Sequence, residues 1–570
     1  MILDLTDNSK ITETYRTQLD RLASELEEDY TRYVDCLSMA QDWGIDWWTL
    51  NLPSRNPTES PHFSNCCLLE LAKSQILGEK NTTEVLVHSE GFKRVLEAFC
   101  FKEGVRIEIT VKRLPCSAFR PFFRAFQTVF ASVIIALVAK ILKDSIEGLR
   151  PDKPKILIDT FFLPGQSSID KYYTGLWQNA GPEISSSLYF IPTFLSNSII
   201  GYLFSRKKLE ALDPQCLFKE DFLKWKDYWY ALRHYWRVRM LPIPKATLRN
   251  LDLTDLVREE LRSVDNFPTA YRASQNFRFF FRLKESGIKV KRSINWFENQ
   301  PLDKAWNAGV REFYPDADSC GYMGYTNLAN AYMNLFPTRY EKESGVIPDT
   351  LYVIGRGFVP TLKRFCGSLD VEVAPAFRFG NVRSRVARRK NTDEFVVLIA
   401  TAMEVDQVLT LLEEVALWRH ENPNEEIKIF LKLHPALREK RLSTKISKKL
   451  YRCFQIKQES LETLTLSADL VIGEGTSNVC LESVMRGVPA IVSNVGSKIA
   501  FNPMPPSVPD HLFRLCRTGP ELIRAIRFFK NVASVSDPRY DSDTLKTLSE
   551  QFFETATTRG TRKFLTGRAS

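Results

Sequence analysis

Asp469-Leu470-Val471-Ile472-Gly473-Glu474-Gly475-Thr476-Ser477-Asn478-Val479-Cys480-Leu481-Glu482-Ser483-Val484-Met485-Arg486-Gly487-Val488-Pro489-Ala490-Ile491-Val492 reads as strand, glycine turn, helix, glycine stop and strand. Ala468 to Gly473 is an apolar run closed by glycine, as a buried parallel strand should be. Thr476, Ser477 and Asn478 are strong N-cap residues, and Val479, Leu481 and Val484 follow them at helical spacing. Gly487 stops the helix and Val488 starts the next strand. A small polar turn feeding a helix N-terminus offers free N–H groups and a positive dipole end, which suits a phosphate.

Working outward, Lys428 to Leu433 is another buried strand, and it runs directly into His434-Pro435. Proline holds the histidine backbone extended at the strand end. Phe395 to Ala400 is a third strand, with a helix from Met403 to Arg419 between the two. Thr350 to Ile354 reads as the first strand of this half and runs into the turn Gly355-Arg356-Gly357. Alternating strands and helices imply right-handed βαβ units and a parallel sheet. Arg383 to Lys390 reads as a basic surface loop. A polar stretch from Asn327 to Asp349, with Pro337, Gly345 and Pro348, is the expected hinge.

The first half is less regular. Residues 1–45 are acidic and amphipathic, with Leu19, Leu22, Leu26, Tyr30 and Tyr33 near helical spacing. Strands are expected at Glu84–His88, Arg106–Val111, Ile156–Asp159, Leu188–Phe194 and Ile288–Phe297 and around Gly321. Residues 205–285 are dense in aromatic and basic side chains and read as long helices. Phe122 to Leu142 is the one membrane-like stretch. Gln127, Thr128 and Ser132 dilute it, and its uninterrupted apolar core falls short of the roughly 20 residues a span needs. A buried helix is the expectation, and an interfacial helix with snorkelling lysines is the alternative.

At 570 residues the chain exceeds one ordinary core, so two domains are expected. An apolar fraction of 44% and a charged fraction of 26% are those of a globular protein. The eleven cysteines are scattered without zinc spacing, which implies free thiols in a reducing compartment. The N-terminus has no basic segment followed by an apolar one, so a cytoplasmic location is expected. A net charge of +10 is modest and dispersed, and no recognition fold for nucleic acid announces itself. An anionic donor and an anionic lipid surface are better-motivated partners.

The stretch around Glu474 resembles the donor-binding half of GT-B glycosyltransferases, in which two glutamates separated by seven residues precede a Gly-x-Pro turn. Glu474, Glu482 and Gly487-Val488-Pro489 stand at that spacing. The short Thr476-Ser477 turn and the upstream His434-Pro435 are more similar to the CMP-sugar users among bacterial surface-polysaccharide transferases, which attach sialic acid or Kdo to capsule or lipopolysaccharide. The resemblance covers roughly residues 345–530. It implies an α/β fold of two Rossmann-like domains facing across a cleft, with extra N-terminal helices. The expected division is 1–335 for the acceptor domain, 345–535 for the nucleotide-sugar domain and 536–570 for a C-terminal helix or tail.

The resemblance also implies partners: a nucleotide-sugar donor and a glycan or lipid-linked glycan acceptor. Contact with the cytoplasmic face of the inner membrane is a further candidate. It places His434 and Pro435 against the nucleotide phosphate, with Lys432 reinforcing the charge. Gly475, Thr476 and Ser477 would donate to phosphate, Glu482 would meet a ribose hydroxyl, and Glu474 would lie near the sugar or ribose. Gly355 and Arg356 form a weaker candidate turn for a donor phosphate or carboxylate. Enzymes of this kind typically need no bound metal or cofactor. This sequence agrees in having no Asp-x-Asp at a strand end and no histidine cluster.

Glycosyl transfer also needs an acid facing the donor, to deprotonate the acceptor or trap the sugar cation. Glu298 and Asp170 rank slightly ahead of Asp159 for that role. Asp159 ends a buried strand, Asp170 lies in the polar loop after it, and Glu298 ends another strand beside Asn299 and Gln300. The same fold accommodates a UDP- or GDP-hexose donor, a CDP-polyol phosphotransferase, or an inactive scaffold in an export complex.

Overall fold

The computed structural model describes residues 2–6, 11–41, 44–78, 83–112, 119–141, 153–162, 172–194, 198–210, 215–326, 333–380, 382, 394–435, 437, 439, 442, 444–447, 451–535 and 542–567. Its fold is α/β, with parallel sheets in two domains and helices at the N-terminus. Strands β1 (Ile2–Asp4), β2 (Glu84–Val87) and β3 (Glu108–Val111) form a small parallel sheet. Strands β4 (Lys155–Phe162) and β5 (Leu188–Phe194) begin a larger one. A short antiparallel pair, β6 (Thr247–Leu248) and β7 (Leu251–Asp252), follows. Then β8 (Val290–Trp296), β9 (Asp318–Met323), β10 (Thr350–Val353) and β11 (Asp370–Val373) complete a six-stranded parallel sheet in the order β11-β10-β9-β8-β4-β5.

The second six-stranded sheet contains β12 (Phe395–Ala400), β13 (Ile427–Lys432), β14 (Phe454–Ile456), β15 (Leu470–Glu474), β16 (Ala490–Ser493) and β17 (Phe513–Cys516). Its order is β14-β13-β12-β15-β16-β17, parallel throughout. Every residue of β12, β15 and β16 is buried, as a parallel sheet covered on both faces requires. The helix Val405–Glu421 packs Val408, Leu411, Leu412 and Val415 onto one face and lies against the helix Gly519–Val535.

Three expectations need correction. The strand at Thr350 does not open the second domain: Leu351 pairs with Gly321 of β9, so β10 is part of the first sheet. A buried parallel strand reads the same in either sheet, and the proline- and glycine-bearing segment before it is a crossover and not a hinge. There Thr338 and Glu341 form a capping box for the helix Arg339–Ser344, which Gly345 ends at φ 68°. The chain passes to the second sheet between Val373 and Phe395. The expected basic loop at 383–390 lies outside the described residues.

The strands at Glu84 and Glu108 pair with each other, and the Glu84 strand also pairs with the unanticipated β1, forming the separate small sheet. Finally, the apolar helix spans Phe119–Ile141 and is not a buried core helix: 28% of its most apolar window is buried.

The C-terminal helices Ser542–Phe552 and Thr558–Thr566 return to the first sheet. The Phe564 ring packs 5.2 Å from Tyr322 and 5.1 Å from Tyr352, centroid to centroid. The N-terminal helix Glu13–Met39 buries Leu19, Leu22, Leu26, Tyr30 and Tyr33. From it Asp20 reaches the second half, accepting from the Ala500 N–H (2.8 Å) and pairing with Arg517 (3.0 Å).

Candidate functional site

In open parallel sheets, ligands bind beyond the carboxyl ends of the strands, where the strand order reverses. In the second sheet that switch lies between β12 and β15, and it is closed by a side chain. The Ala402 N–H, just past β12, donates to Glu474 Oε1 at the end of β15 (3.1 Å). Glu474 is 3% exposed, and its second carboxylate oxygen has no hydrogen-bond partner among the described residues. Burial pushes its pKa up to about 7, partly offset by the Ala402 N–H and reinforced by the nearby Glu404. Near neutral pH this carboxyl group can therefore donate or accept, which no ordinary surface glutamate does.

The glycines around Glu474 serve close approach. A Cβ on Gly473 would stand 2.3 Å from Val479 Cγ1, and one on Gly475 would stand 2.5 Å from the Phe501 carbonyl oxygen. No side chain fits at either position, so the turn brings the helix Val479–Met485 hard against β15. Thr476 and Ser477 are half-buried in that turn. Ser477 Oγ accepts from the Val479 N–H (3.3 Å), so capping of the first turn is a role it already fills.

His434 lies on the next strand end along. Its N–H donates to Thr401 Oγ1 (3.0 Å), which ties the end of β13 to the end of β12, and its carbonyl accepts from Leu437 across the Pro435 turn (2.8 Å). His434, Thr401, Glu474 and Thr476 thus occupy one edge of one sheet. Sequence reasoning passed over Thr401, although its place after a buried strand was legible.

Two donor-side residues are otherwise engaged. Lys432 Nζ donates to the Gln458 carbonyl (2.9 Å), beside the edge strand β14. Glu482 is half-buried and pairs with Arg486, which is shared with Glu462 (3.4 Å each). The Gly355-Arg356-Gly357 turn belongs to the other sheet. A Cβ on Gly355 would stand 2.3 Å from the Phe552 backbone, so these glycines admit the C-terminal helix, while Arg356 is exposed.

The first sheet brings its own edge to the same place. Its order reverses between β4 and β8, and Glu298 follows β8 directly. Trp296 Nε1 donates to Glu298 Oε1 (2.9 Å), the Glu298 N–H donates to Asp303 Oδ2 (2.9 Å), and Asn334 holds the Glu298 carbonyl (3.1 Å). Burial raises the Glu298 pKa, against the Trp296 hydrogen bond and the charge of Arg378. Arg378, exposed beyond β11, carries no sequence signal that marks it as a partner of Glu298.

On the adjacent strand end, the Thr326 N–H and Oγ1 both donate to Asn478 Oδ1 (3.1 and 3.0 Å). Asn478 immediately precedes the helix behind the Glu474 turn, so this contact joins the carboxyl edges of the two sheets.

Asp159 does not end its strand, as β4 continues to Phe162. It is buried at mid-strand and accepts from Thr193 Oγ1 (3.2 Å), which in turn accepts from Lys219 Nζ (2.6 Å). Burial raises its pKa to about 6, against the charge of Lys219. That is the environment of a satisfied structural acid. Asp170 lies outside the described residues.

No protein-family model and no curated protein matches the chain. Among solved structures, it is similar to the N-terminal domain of Candida albicans trehalose-6-phosphate phosphatase. That match has 13% identity and a TM-score of 0.42, covering 73% of this chain and 97% of that one. A putative UDP-N-acetylglucosamine 2-epimerase from Listeria monocytogenes gives 10% identity and a TM-score of 0.42, covering 72% and 95%. MurG from Acinetobacter baumannii gives 10% and 0.36, covering 73% and 100%. Likeness of this size assigns no activity.

Proposed function

We propose that the protein is a glycosyltransferase that moves a sugar from a nucleotide donor to a glycan or lipid-linked glycan acceptor. The donor favoured by the His434-Pro435 and Thr476-Ser477 motifs is a CMP-activated ulosonic acid of the Kdo or sialic acid kind. One observation carries the reading: the carboxyl edges of two parallel sheets meet through Thr326 and Asn478, with Glu474, buried and half-partnered, on one side. Glu298, raised by burial, stands on the other.

In this reading His434 and the Thr476-Ser477 turn hold the donor phosphate, and Glu474 hydrogen-bonds the ribose or sugar. Glu298 takes the proton of the acceptor hydroxyl as the new C–O bond forms at the anomeric carbon. The bond from that carbon to the phosphate oxygen breaks, and the nucleotide leaves with the electron pair. A carboxylate whose pKa is raised toward neutrality is a better base than a solvated one. Asp170 stays as the second candidate for this role.

Calorimetric titration with CMP, UDP, GDP and CDP tests the donor. Tightest binding of CMP supports the reading, UDP or GDP would move the donor to a hexose, and no binding would leave a scaffold. Because a CDP-polyol also releases CMP, turnover of a CDP-polyol in place of a CMP-sugar would favour a polyol-phosphate transfer. Transfer in this account needs no divalent ion. Activity that vanishes in EDTA and returns with manganese or magnesium would overturn that part.

A further inference from the structure

The helix Phe119–Ile141 has two contrasting faces. Ala125, Thr128, Ala131, Ala136 and Ala139 are buried against the protein. On the opposite face Phe122, Phe126, Phe130, Leu137 and Ile141 are exposed, from 48% for Leu137 to 82% for Ile141. Their spacing of four and seven places them in one stripe along the helix. A row of bare phenylalanines and aliphatic side chains is costly in water.

A second helix extends the surface. Trp225, Trp229, Trp236 and Met240 are exposed at the spacing of one face of the helix Trp225–Arg239, with exposed Arg233 among them. Lys140 bridges the two helices, its Nζ 4.2 Å from the centre of the Trp225 ring.

Charge selects the occupant. The first helix contains no acidic residue, and Arg120, Arg124 and Lys140 are exposed on it. The acid of the second helix, Asp227, is buried and held by Arg278 and Arg282. Exposed basic residues around an apolar stripe, with tryptophans at its border, match the boundary of an anionic bilayer.

We propose that these two helix faces seat the protein on a membrane carrying anionic lipid, with Phe119–Ile141 lying in the plane of the interface. The buried alanine face keeps the helix against the protein and argues for this orientation over a span. The same helix walls a cavity of about 60 Å³ together with Thr193 and Phe194 at the end of β5 and Leu302 beside the Glu298 turn. The seat therefore lies at the carboxyl edge of the first sheet, where a lipid-linked acceptor would arrive. The seat itself stands independently of the donor.

Vesicle flotation of the full chain tests it, with phosphatidylcholine alone and with phosphatidylglycerol added. The chain should float with the anionic vesicles, more weakly in high salt and more weakly still without phosphatidylglycerol. Phe126→Glu with Phe130→Glu, both at exposed positions, should lower the bound fraction about tenfold or more. Arg124→Glu with Lys140→Glu should remove the preference for anionic lipid. Nucleotide titration of the same variants should be unchanged, which separates this test from that of the donor site. A chain that does not float at low salt, or a Phe126→Glu/Phe130→Glu variant that floats as well as wild type, would overturn the proposal. So would a dimer in sedimentation that the phenylalanine substitutions dissolve, since the occupant would then be a second copy.

Discussion

The carboxyl edges of the two sheets treat their buried acids differently. Behind the first edge Glu341, Asp303 and Asp159 each have a partner set. Glu341 accepts from Lys304, from Arg55 (2.7 Å) and from the Thr338 N–H (2.8 Å), all buried. Burial would raise its pKa, but Arg55 and Lys304 outweigh that and hold it at about 2. Asp303 caps the turn that carries Glu298, and Asp159 leans on Thr193 and Lys219. At the second edge Glu474 has, among the described residues, one backbone donor, no cation, and an oxygen left over. A buried charge that is paired holds a structure in place, whereas a buried carboxyl kept near neutral with a vacant oxygen suits a ligand.

The largest effect expected is on chemistry. Glu298→Gln keeps the turn, since Asp303 and Asn334 bind its backbone, but removes the base. Turnover should fall by about 10² to 10⁴ while nucleotide affinity stays nearly normal. Wild-type turnover in steady-state kinetics would shift the role to Asp170.

Next comes stability of the first edge. Glu341→Ala strands Lys304 and Arg55 without their counter-charge, and should cost about 3–5 kcal/mol in denaturant unfolding. A loss below about 1 kcal/mol would mean that the network is as weak as a surface pair.

Glu474→Gln should act in the opposite sense. With a folded pKa of about 7 against 4.5 unfolded, the unfolded chain ionises first as pH rises. Wild-type stability should therefore fall between those values, by about 3 kcal/mol in all. The glutamine variant should lack that slope and be the more stable protein at pH 8. Parallel stability curves for the two would remove the contrast between the edges.

The smallest of these effects is on binding. His434→Ala should weaken nucleotide affinity by about ten- to a hundredfold, as loss of one charged hydrogen bond does, with the fold unchanged. Unchanged affinity would detach His434 from the phosphate.

The second sheet was legible because its signals are local. Fully apolar strands, N-cap residues and the Gly473-Glu474-Gly475 turn each specify their own structure within a few residues. The fate of Thr350–Val353 was not legible, because sheet membership depends on a pairing with Gly321 that sequence spacing does not encode. Site residues divided in the same way. His434, Glu474 and Thr476 were marked by motif and do share an edge. Thr326 and Asn478 meet across 152 residues of sequence, and nothing in either neighbourhood announces it. The burial expected for Phe122–Leu142 is not what the helix Phe119–Ile141 shows, because apolar composition alone does not say whether protein or solvent faces it.

A crystal structure with the bound nucleotide would test the junction of the two edges most directly. The phosphate should lie within hydrogen-bond reach of His434 and the Thr476-Ser477 turn, with a ribose or sugar oxygen on the free side of Glu474. Nucleotide bound elsewhere, or a phosphate more than about 10 Å from Glu298 with the two edges joined, too far for direct proton transfer, would contradict it.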